Sequence, residues 1–306
     1  MIKTDFRGVV TAVLTPFTAD DKPDLKNLQC LVHALIKEGV DGLLLLGTTG
    51  EGPSTSYEEQ VEIIQAGLQA AGKCTIMAGT GCASLPDTIR LTARAFELGV
   101  HAVVTVPPFY FKKFSTPGLA EYFRRVMDEG IPEGGTLFLY HIPQVTGIPI
   151  SNDLISELLA HDEKKLGGVK DSSGDLAHAQ DYCQNFPQLR VFVGTDKLLL
   201  SGVRSGAAGC ITAGANVFAP LAVRVYRAFL KGEAAEADQD ALTAARTILE
   251  KYPPFAASLK SLMSYRFGNG SWHLRPPLMP LSPTEQSDLL QSLKALNLGQ
   301  TIPWLR

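Results

Sequence analysis

The sequence predicts an α/β protein in which eight strand–helix units form a (β/α)8 TIM barrel, followed by a C-terminal helical extension. Two observations predict this fold. Eight short apolar stretches alternate with amphipathic helical patterns before residue 232, as such a barrel requires. Several stretches are continuous runs of Val, Ile and Leu, which is typical of parallel strands buried on both faces. A doubly wound open sheet shows the same alternation, so the pattern indicates the class more firmly than the closure of the sheet.

The predicted elements follow one another along the whole chain. In order, the predicted strands are residues 9–14, 42–46, 75–78, 102–106, 136–140, 166–170, 190–193 and 209–212. The helical patterns between them include residues 25–37, 58–69, 87–98, 119–127 and 154–159. Gly39, Gly99 and Gly206 each lie between a helix and the next strand. Glycine accepts the left-handed backbone that ends many helices, so these positions support the αβ alternation.

The pattern changes after residue 232. Helical periodicity covers residues 233–249, and two more helical segments follow at residues 255–265 and 284–296, with no strand candidate between them. We therefore expect a barrel domain at residues 1–232 and a three-helix extension at residues 233–306. No low-complexity linker separates the two, which predicts that the extension packs on the barrel.

Charge and composition limit the partners that we expect. The 306 residues are 45% hydrophobic, with 28 basic and 31 acidic side chains and a formal net charge of −3. A slightly acidic chain without a basic run is a poor ligand for nucleic acid or an anionic membrane. No apolar run approaches the ~20 residues that span a bilayer, and the charged first residues do not resemble a signal peptide. Small molecules and further copies of the chain are the predicted partners.

Cysteine and histidine spacing argues against metals and disulfides. The five cysteines never occur in C-x-x-C spacing, so we expect no zinc site, no disulfide framework and a reducing, cytoplasmic location. The six histidines show no H-x-x-x-H spacing, which disfavours a metal-dependent aldolase. No G-x-G-x-x-G follows a strand and no G-x-S-x-G is present, so no nucleotide cofactor or serine nucleophile is predicted.

Lys170 is the most informative candidate for chemistry. Active residues of such barrels lie at the carboxyl ends of the strands, and Lys170 ends the sixth predicted strand. Burial there disfavours the ammonium form and frees an amine that can attack a carbonyl. A Schiff base with a 2-oxo acid then stabilises a carbanion at the adjacent carbon. The alternative is a lysine that pairs with Asp171 or extends to solvent.

Three further positions at strand ends are candidates. Thr48 and Thr49 lie between glycines, and their hydroxyls and amides can hold a carboxylate, although a plain strand-to-helix turn has the same sequence. Tyr140 can relay protons beside a nucleophilic lysine, or it can be a core aromatic. His141 is the only histidine at a predicted strand end, with a structural or a catalytic role open.

Taken together, four motifs resemble the dihydrodipicolinate synthase / N-acetylneuraminate lyase family. They are Gly47-Thr48-Thr49-Gly50-Glu51, Gly79-Thr80-Gly81, Tyr140-x-x-Pro143 with Thr146-Gly147, and Gly168-Val169-Lys170-Asp171-Ser172-Ser173-Gly174. All four occur in the order and spacing of that family. The resemblance covers essentially the whole chain and implies a (β/α)8 barrel with three C-terminal helices, usually in a homotetramer.

The resemblance also implies roles for individual residues. Lys170 would be the Schiff-base lysine, and Tyr140 the acid/base residue over it. Thr48 and Thr49 would bind the carboxylate of pyruvate, and Thr48 would pass protons from Tyr140 to Tyr110. In the synthases the residue equivalent to Tyr110 reaches in from a neighbouring subunit. The backbone carbonyl of Ile211 would lie near the enamine.

Two departures from the family pattern bear on the substrate. Synthases place an arginine five residues after the catalytic tyrosine, to pair with the carboxylate of aspartate semialdehyde, and Val145 stands here instead. Losing such a contact costs about 1.5–3 kcal/mol. Sialic acid lyases usually have Gly-Tyr-Asp-Glu after the seventh strand, whereas this chain has Gly194-Thr195-Asp196-Lys197, and Ala213 replaces a serine. Neither substrate is therefore well supported.

The sequence thus predicts a Schiff-base lyase that joins or separates pyruvate and an aldehyde, such as an aldolase for 2-keto-3-deoxygluconate. A neutral aldehyde needs only hydrogen bonds, which we expect from the residues at the rim of the barrel: Ser172, Ser173, Thr195 or His141. Substitute cations for an acidic aldehyde could come from Lys112, Lys113 or Lys197. The alternatives are 4-hydroxy-tetrahydrodipicolinate synthase, a keto-deoxy-acid dehydratase, and a non-catalytic barrel that binds a 2-oxo acid.

Overall fold

A computed structural model describes residues 5–268 and 272–306 of the chain. Residues 1–4 of the predicted barrel domain and residues 269–271 of the predicted extension lie outside the described residues. Eight parallel strands form a closed barrel in the order β1 to β8, and β8 pairs with β1. The predicted (β/α)8 barrel is confirmed, and the open doubly wound alternative is wrong.

The strands agree with the predicted positions to within two residues at each end. They are β1 (Gly8–Ala12), β2 (Gly42–Leu45), β3 (Thr75–Gly79), β4 (Ala102–Thr105), β5 (Leu137–His141), β6 (Leu166–Asp171), β7 (Arg190–Val193) and β8 (Gly209–Thr212). The first strand ends early because the backbone amide of Leu14 bonds the buried side chain of Asn216. That side chain also donates to the carbonyl of Ala12, which ties the end of β1 to the last barrel helix.

Helices cover the outside of the barrel between the strands. They are α1 (Leu25–Lys37), α2 (Tyr57–Ala71), α3 (Leu85–Leu98), α4 (Thr116–Arg125), α5 (Pro143–Thr146), α6 (Asn152–Asp162), α7 (Leu176–Asn185), α8 (Leu199–Arg204) and α9 (Ala215–Lys231). Side-chain caps begin several of them, as Ser56 does for α2 with a capping box to Glu59. In the described residues, no helix is long and apolar enough to cross a membrane.

The apolar core has two layers because successive strand residues face opposite sides of the sheet. The outer layer lies between strands and helices and includes Leu43, Val103 and Leu139. The inner layer fills the barrel itself with alternate residues, among them Met77 and Phe138. The inner layer fills the barrel interior, so we expect the substrate site at the end where the strands terminate.

Three helices follow the barrel, as predicted: α10 (Glu236–Leu249), α11 (Phe255–Phe267) and α12 (Pro283–Lys294). Gly232, with φ of 69°, ends α9, and α10 then turns back to pack on it. Helix α11 packs on α9 and α12 and buries Leu259, Leu262 and Met263. These helices cover one side of the mouth of the barrel and so contribute to the site.

Candidate active site

Lys170 and Tyr140 face each other inside the barrel. They are directly paired in the register between β5 and β6, so their side chains leave the sheet side by side on its inner face. Both are buried, with 3% and 5% of their surface exposed. The Nζ atom of Lys170 lies 4.0 Å from the centroid of the Tyr140 ring. An amine and a phenol are thus held together at the end of the barrel where a substrate enters.

The hydroxyl of Tyr140 belongs to a polar chain that continues to the β2 loop. Its oxygen lies 3.4 Å from Oγ1 of Thr48. Burial alone would raise the pKa of Tyr140. The positive charge of Lys170 and hydrogen bonds to the phenol oxygen, the first of them from Thr48, outweigh burial and hold that pKa below its usual value. The lowered pKa makes this tyrosine better suited to give and take a proton than an ordinary phenol.

The turn that carries Thr48 and Thr49 requires glycine on its C-terminal side. A side chain at Gly50 would place its Cβ 2.7 Å from the carbonyl oxygen of Val13, and one at Gly52 would lie 2.2 Å from that of Leu46. The backbone of Leu46 is itself left-handed, with φ of 59°. The close packing holds both threonines at the cavity, so Gly50 of the motif and Gly52 after it have a steric reason.

Glu51, at the end of this turn, is anchored in the interior. Its carboxylate forms an ion pair with Lys260 of α11 and accepts a hydrogen bond of 3.1 Å from the backbone amide of Arg275. Lys260 donates in addition to the carbonyl of His273, at 2.6 Å. Burial lowers the pKa of Lys260 to about 8 against the opposing charge of Glu51. Both side chains are at most 1% exposed, so the C-terminal helices hold the threonine turn through a buried salt bridge.

Lys170 opens into a cavity of about 580 Å³, a size common for small-molecule sites. Strand ends and strand loops line its inner part with Thr48, Thr49, Tyr140, Ile142, Gln144, Lys170, Ser172, Ser173, Gly174, Gly194, Thr195, Lys197, Leu198, Ile211 and Ala213. The C-terminal helices and the chain around them line its outer part with Arg246, Glu250, Pro254, Phe255, Ala256 and Leu278. The predicted Lys170, Tyr140, Thr48, Thr49 and Ile211 therefore share one cavity.

Sequence reasoning missed the outer wall. Arg246 and Glu250 follow the spacing of an ordinary salt bridge on the surface of a helix, and nothing in the sequence separates them from such a pair. Arg246 also pairs with the fully buried Asp196 of the β7 loop, at 3.0 Å. Gln144 was missed as well; its Nε2 donates to the carbonyl of Ser172 at 2.6 Å and closes the rim between β5 and β6.

His141 does not line the cavity, contrary to the prediction that it binds substrate. It follows Tyr140 directly in β5, so strand alternation turns it to the outer face of the sheet. There its Nδ1 accepts from the amide of Ile150 at 3.0 Å, and its ring stacks on His178 at 4.3 Å. Burial lowers the pKa of His141 to about 4, although the carboxylate of Asp171 acts in the opposite direction. The residue supports β5 from behind.

His141, Asp171 and His178 are the one group in the described ranges with three potential metal ligands close together. Their arrangement does not suit a cation. The two imidazole planes lie at 27°, so their in-plane lone pairs run side by side instead of converging. Asp171 already accepts from the ring nitrogen of His178 at 3.0 Å and from the amide of Ser173 at 2.9 Å. The cluster fixes the turn after Lys170.

Tyr110 and Val145 lie outside the cavity of this chain. Tyr110 is 74% exposed in the loop after β4 and contacts Phe111 edge to face. Val145 is 61% exposed on the short helix α5, so its side chain places no group in the cavity. Of the three lysines predicted as substitute cations, Lys197 reaches the cavity wall, whereas Lys112 bonds the carbonyl of Thr146 at 2.5 Å. Lys113 is exposed and does not line the cavity.

The fold and the cavity define a (β/α)8-barrel enzyme whose site lies at the carboxyl ends of the strands. The model of the dihydrodipicolinate synthetase family matches residues 5–296, and the chain belongs to this family. Its members are lyases and synthases, so the chain is a lyase of the class I aldolase type, as the sequence predicted.

Curated relatives agree over most of the chain. A DapA-like lyase of Chloroflexus aurantiacus is 40% identical over 298 residues, which are 96% of this chain and 98% of the relative. The 4-hydroxy-tetrahydrodipicolinate synthase of Methanosphaerula palustris is 34% identical over 233 residues, 74% of this chain and 78% of the relative.

Among solved structures, YagE of E. coli K12, a prophage protein of the dihydrodipicolinic acid synthase family in complex with pyruvate, superposes with a TM-score of 0.90. It is 28% identical to this chain, and the match covers 96% of this chain and 99% of YagE. The likeness therefore includes the C-terminal helices as well as the barrel.

Proposed function

We propose that the protein is a Schiff-base aldolase that joins or separates pyruvate and an uncharged hydroxyaldehyde, with 2-keto-3-deoxygluconate as the type of substrate. The observation that carries the proposal is the buried pair of Lys170 and Tyr140, matched in register at the entrance of one cavity. A lysine amine beside a phenol of lowered pKa is the equipment for carbonyl addition with proton transfer.

The proposed reaction begins at the lysine. The carboxylate of pyruvate binds the hydroxyls and amides of Thr48 and Thr49. The amine of Lys170 attacks the keto carbon, and one water leaves with a proton from Tyr140, so an iminium forms. Loss of a proton from the methyl carbon gives an enamine, stabilised by the lysine nitrogen as electron sink. The carbonyl of Ile211, which lines the cavity, accepts the hydrogen bond that orients it.

The carbon–carbon bond then forms between the enamine and the aldehyde. The aldehyde oxygen takes a proton as the new bond closes, and one water hydrolyses the iminium to release a 2-keto-4-hydroxy acid and the free lysine. Read in reverse, the same steps cleave that acid to pyruvate and aldehyde. Tyr140 handles the proton in each direction, through Thr48 and Tyr110 of the partner subunit.

The uncharged aldehyde is proposed because, apart from Lys170, which is taken up by the Schiff base, the described residues of the cavity offer no unmatched cation to an acidic aldehyde. Val145 is exposed and does not line the cavity, and the two other cations that line it, Lys197 and Arg246, are paired with carboxylates. A desolvated carboxylate without a partner is costly. Ser172, Ser173 and Thr195 supply hydroxyls for a polyol instead.

The first experiment traps the intermediate. Borohydride reduction in the presence of pyruvate should attach one reduced pyruvyl group to the peptide that contains Lys170. The Lys170→Met variant should give no adduct, and the matched control Lys197→Met, at the same cavity, should still give it. An adduct on another lysine, or none in the wild type, would end the Schiff-base proposal.

The second experiment chooses among the activities. Pyruvate with glyceraldehyde should condense with a kcat/KM near the usual enzyme range of about 10⁴ M⁻¹s⁻¹ or above, and aspartate semialdehyde should react more slowly. Faster reaction with aspartate semialdehyde would assign the protein as 4-hydroxy-tetrahydrodipicolinate synthase, as in the Methanosphaerula palustris relative. Loss of water from 2-keto-3-deoxygluconate without pyruvate release would assign a dehydratase. An adduct without turnover on any aldehyde would leave a binding protein.

We propose further that the chain works as a cytoplasmic homotetramer, in which residues 1–232 are the barrel and residues 233–306 its cover. The support is Tyr110, which is exposed in its own chain and matches the family tyrosine that crosses a subunit interface. Mixing Lys170→Met with Tyr110→Phe chains should restore activity that neither has alone, because some sites then combine an intact lysine and an intact tyrosine. A monomer in analytical ultracentrifugation would contradict the assembly.

A further inference from the structure

The outer end of the cavity is a network of four charges that joins the β7 loop to α10. Arg246 pairs with the buried Asp196 through Nη1 and with Glu250 through Nε, both at 3.0 Å. Lys197 forms an ion pair with Glu250 from the other side. The guanidinium lies over the ring of Phe255, with its central carbon 4.1 Å from the ring centroid. The arginine is thus held on three sides by protein.

One side of this arginine remains for a ligand. Within the ranges 5–268 and 272–306, no side chain or carbonyl accepts a hydrogen bond from Nη2 of Arg246. Arg246 and Glu250 both line the cavity into which Lys170 opens. Gln239, about two helical turns before Arg246 on α10, fixes the same loop by donating to the carbonyl of Asp196 at 3.0 Å and accepting from the amide of Leu200. The network is therefore rigid, and its donors and acceptors are preorganised.

The charges of the network cancel. Two cations, Arg246 and Lys197, meet two carboxylates, Asp196 and Glu250. A carboxylate or phosphate group at this place would add a negative charge that nothing balances. A hydroxyl group both donates and accepts, so neighbouring hydroxyls can accept from the guanidinium and donate to Glu250 at once. A wall of mixed donors and acceptors with no net charge suits a polyol.

We propose that Arg246 and Glu250 on α10 form the subsite for the hydroxyl groups of the aldehyde and select uncharged hydroxyaldehydes over acidic ones. The proposal rests on the proposed aldolase function and deepens it. It moves specificity from the barrel, where the residue five positions after Tyr140 is the exposed Val145, to the C-terminal cover. Because the cavity of about 580 Å³ far exceeds the volume of pyruvate, the second substrate has room to extend toward these residues.

The test compares two conservative variants with two matched controls. Arg246→Lys keeps the charge opposite Asp196 but removes the fork of donors, and Glu250→Gln removes one negative charge but keeps a hydrogen-bonding group. The controls are Arg224→Lys and Asp238→Asn, which alter an ion pair between α9 and α10 that does not line the cavity. Pyruvate condensation is measured with glycolaldehyde, glyceraldehyde, erythrose and glyceraldehyde 3-phosphate.

We expect the wild type to gain kcat/KM from glycolaldehyde to erythrose. Arg246→Lys should lose about three- to tenfold in kcat/KM for each hydroxyl contact, because lysine keeps the positive charge and only the net hydrogen bond is lost, with the loss largest on erythrose and small on glycolaldehyde. Glu250→Gln should lower kcat/KM for the polyol aldehydes in the same way. It should raise the kcat/KM for glyceraldehyde 3-phosphate relative to that for glyceraldehyde. The controls should leave all ratios unchanged.

Two results with the variants and one with the wild type would overturn the subsite. An equal loss on all aldehydes, glycolaldehyde included, would mean that the network only shapes the fold, and an unchanged phosphate ratio in Glu250→Gln would mean that its charge does not select. The proposed function is judged separately, by the pyruvate adduct of Lys170 in each variant. A wild type that forms the adduct but shows no preference along the series contradicts the subsite alone, whereas a wild type without the adduct contradicts the function.

Discussion

The two ends of the cavity are built in different ways. At the inner end, Lys170, Tyr140 and Thr48 come from strands or the residues directly after them, and the paired register of β5 and β6 holds the first two side by side. At the outer end, Arg246 and Glu250 come from a helix beyond the barrel and reach the cavity only through packing on α9 and the β7 loop. The inner end is determined by local geometry, the outer end by distant contacts.

This difference separates two tasks. Strand ends in a closed barrel cannot move independently, so chemistry that needs fixed distances is placed there. A helix packed across the mouth can change its side chains without disturbing the barrel. We therefore expect substitutions at the inner end to act on kcat and substitutions at the outer end to act on the choice of aldehyde.

The largest effect tests the inner end. Lys170→Met should lower kcat by more than about 10⁴-fold, because a covalent nucleophile is removed and no neighbour replaces it. The far-ultraviolet circular dichroism spectrum should not change, since methionine fills a similar volume. Lys197→Met, the same exchange at the outer end, should lower kcat by less than about tenfold. Comparable losses of kcat in both variants would contradict the proposed assignment of catalysis to the inner end and of aldehyde choice to the outer end.

The next effect tests the link between the two ends. Glu51→Gln or Lys260→Met should each lower the free energy of unfolding by about 3–5 kcal/mol, because each leaves a buried charge without its partner. The measurement is urea unfolding at pH 7. The exposed pair of Arg94 and Glu97 on α3 is the control, where Glu97→Gln should change stability by about 0–1 kcal/mol. A small effect at the buried pair would show that the turn holds without the C-terminal helices.

A smaller effect tests whether His141 lies outside the inner end of the cavity. Its folded pKa of about 4 lies below the unfolded value of 6.5, so between these pH values the unfolded chain binds more protons. Stability contributed at neutral pH is therefore lost as the pH falls from 6.5 to 4, by about 1–3 kcal/mol. His141→Gln should reduce this acid sensitivity and leave the KM for pyruvate unchanged. The control is His33→Gln on the surface of α1. A changed KM for pyruvate in the His141 variant would show that His141 contributes to substrate binding.

The smallest effect concerns the proton chain. Thr48→Val removes one of the hydrogen bonds that lower the pKa of Tyr140, so that pKa should rise. The alkaline limb of the pH profile of kcat should then move to higher pH, with a loss of about three- to tenfold in kcat at its maximum. A Thr88→Val control, at a hydroxyl pair with Tyr122 behind the barrel, should move neither. If the alkaline limb of the profile stays in place, Thr48 does not take part in the proton relay.

Much of the inner end could be predicted from the sequence because strand patterns are local. Continuous apolar runs predict the strands. Lys170 and Tyr140 are predicted as site residues because each ends one of these runs. The mistake at His141 could have been avoided by the same rule, since neighbours in a strand face opposite sides. The outer end could not be predicted in this way. Asp196 and Arg246 lie 50 residues apart, and their contact exists only after α10 has packed.

The closure of the barrel also bears on how the chain acquires its structure during synthesis. Strand β1 pairs with β2 on one side and with β8 on the other. Almost the whole barrel must therefore be synthesised before the backbone groups on the second side of β1 are paired. Contacts of such long sequence separation slow folding, and an unpaired parallel edge is prone to associate with other chains. The carboxylate of Glu51 gains its partners later still, because Lys260 and the amide of Arg275 lie near the end of the chain. Truncation before residue 260 should therefore yield an aggregation-prone product instead of a less specific enzyme.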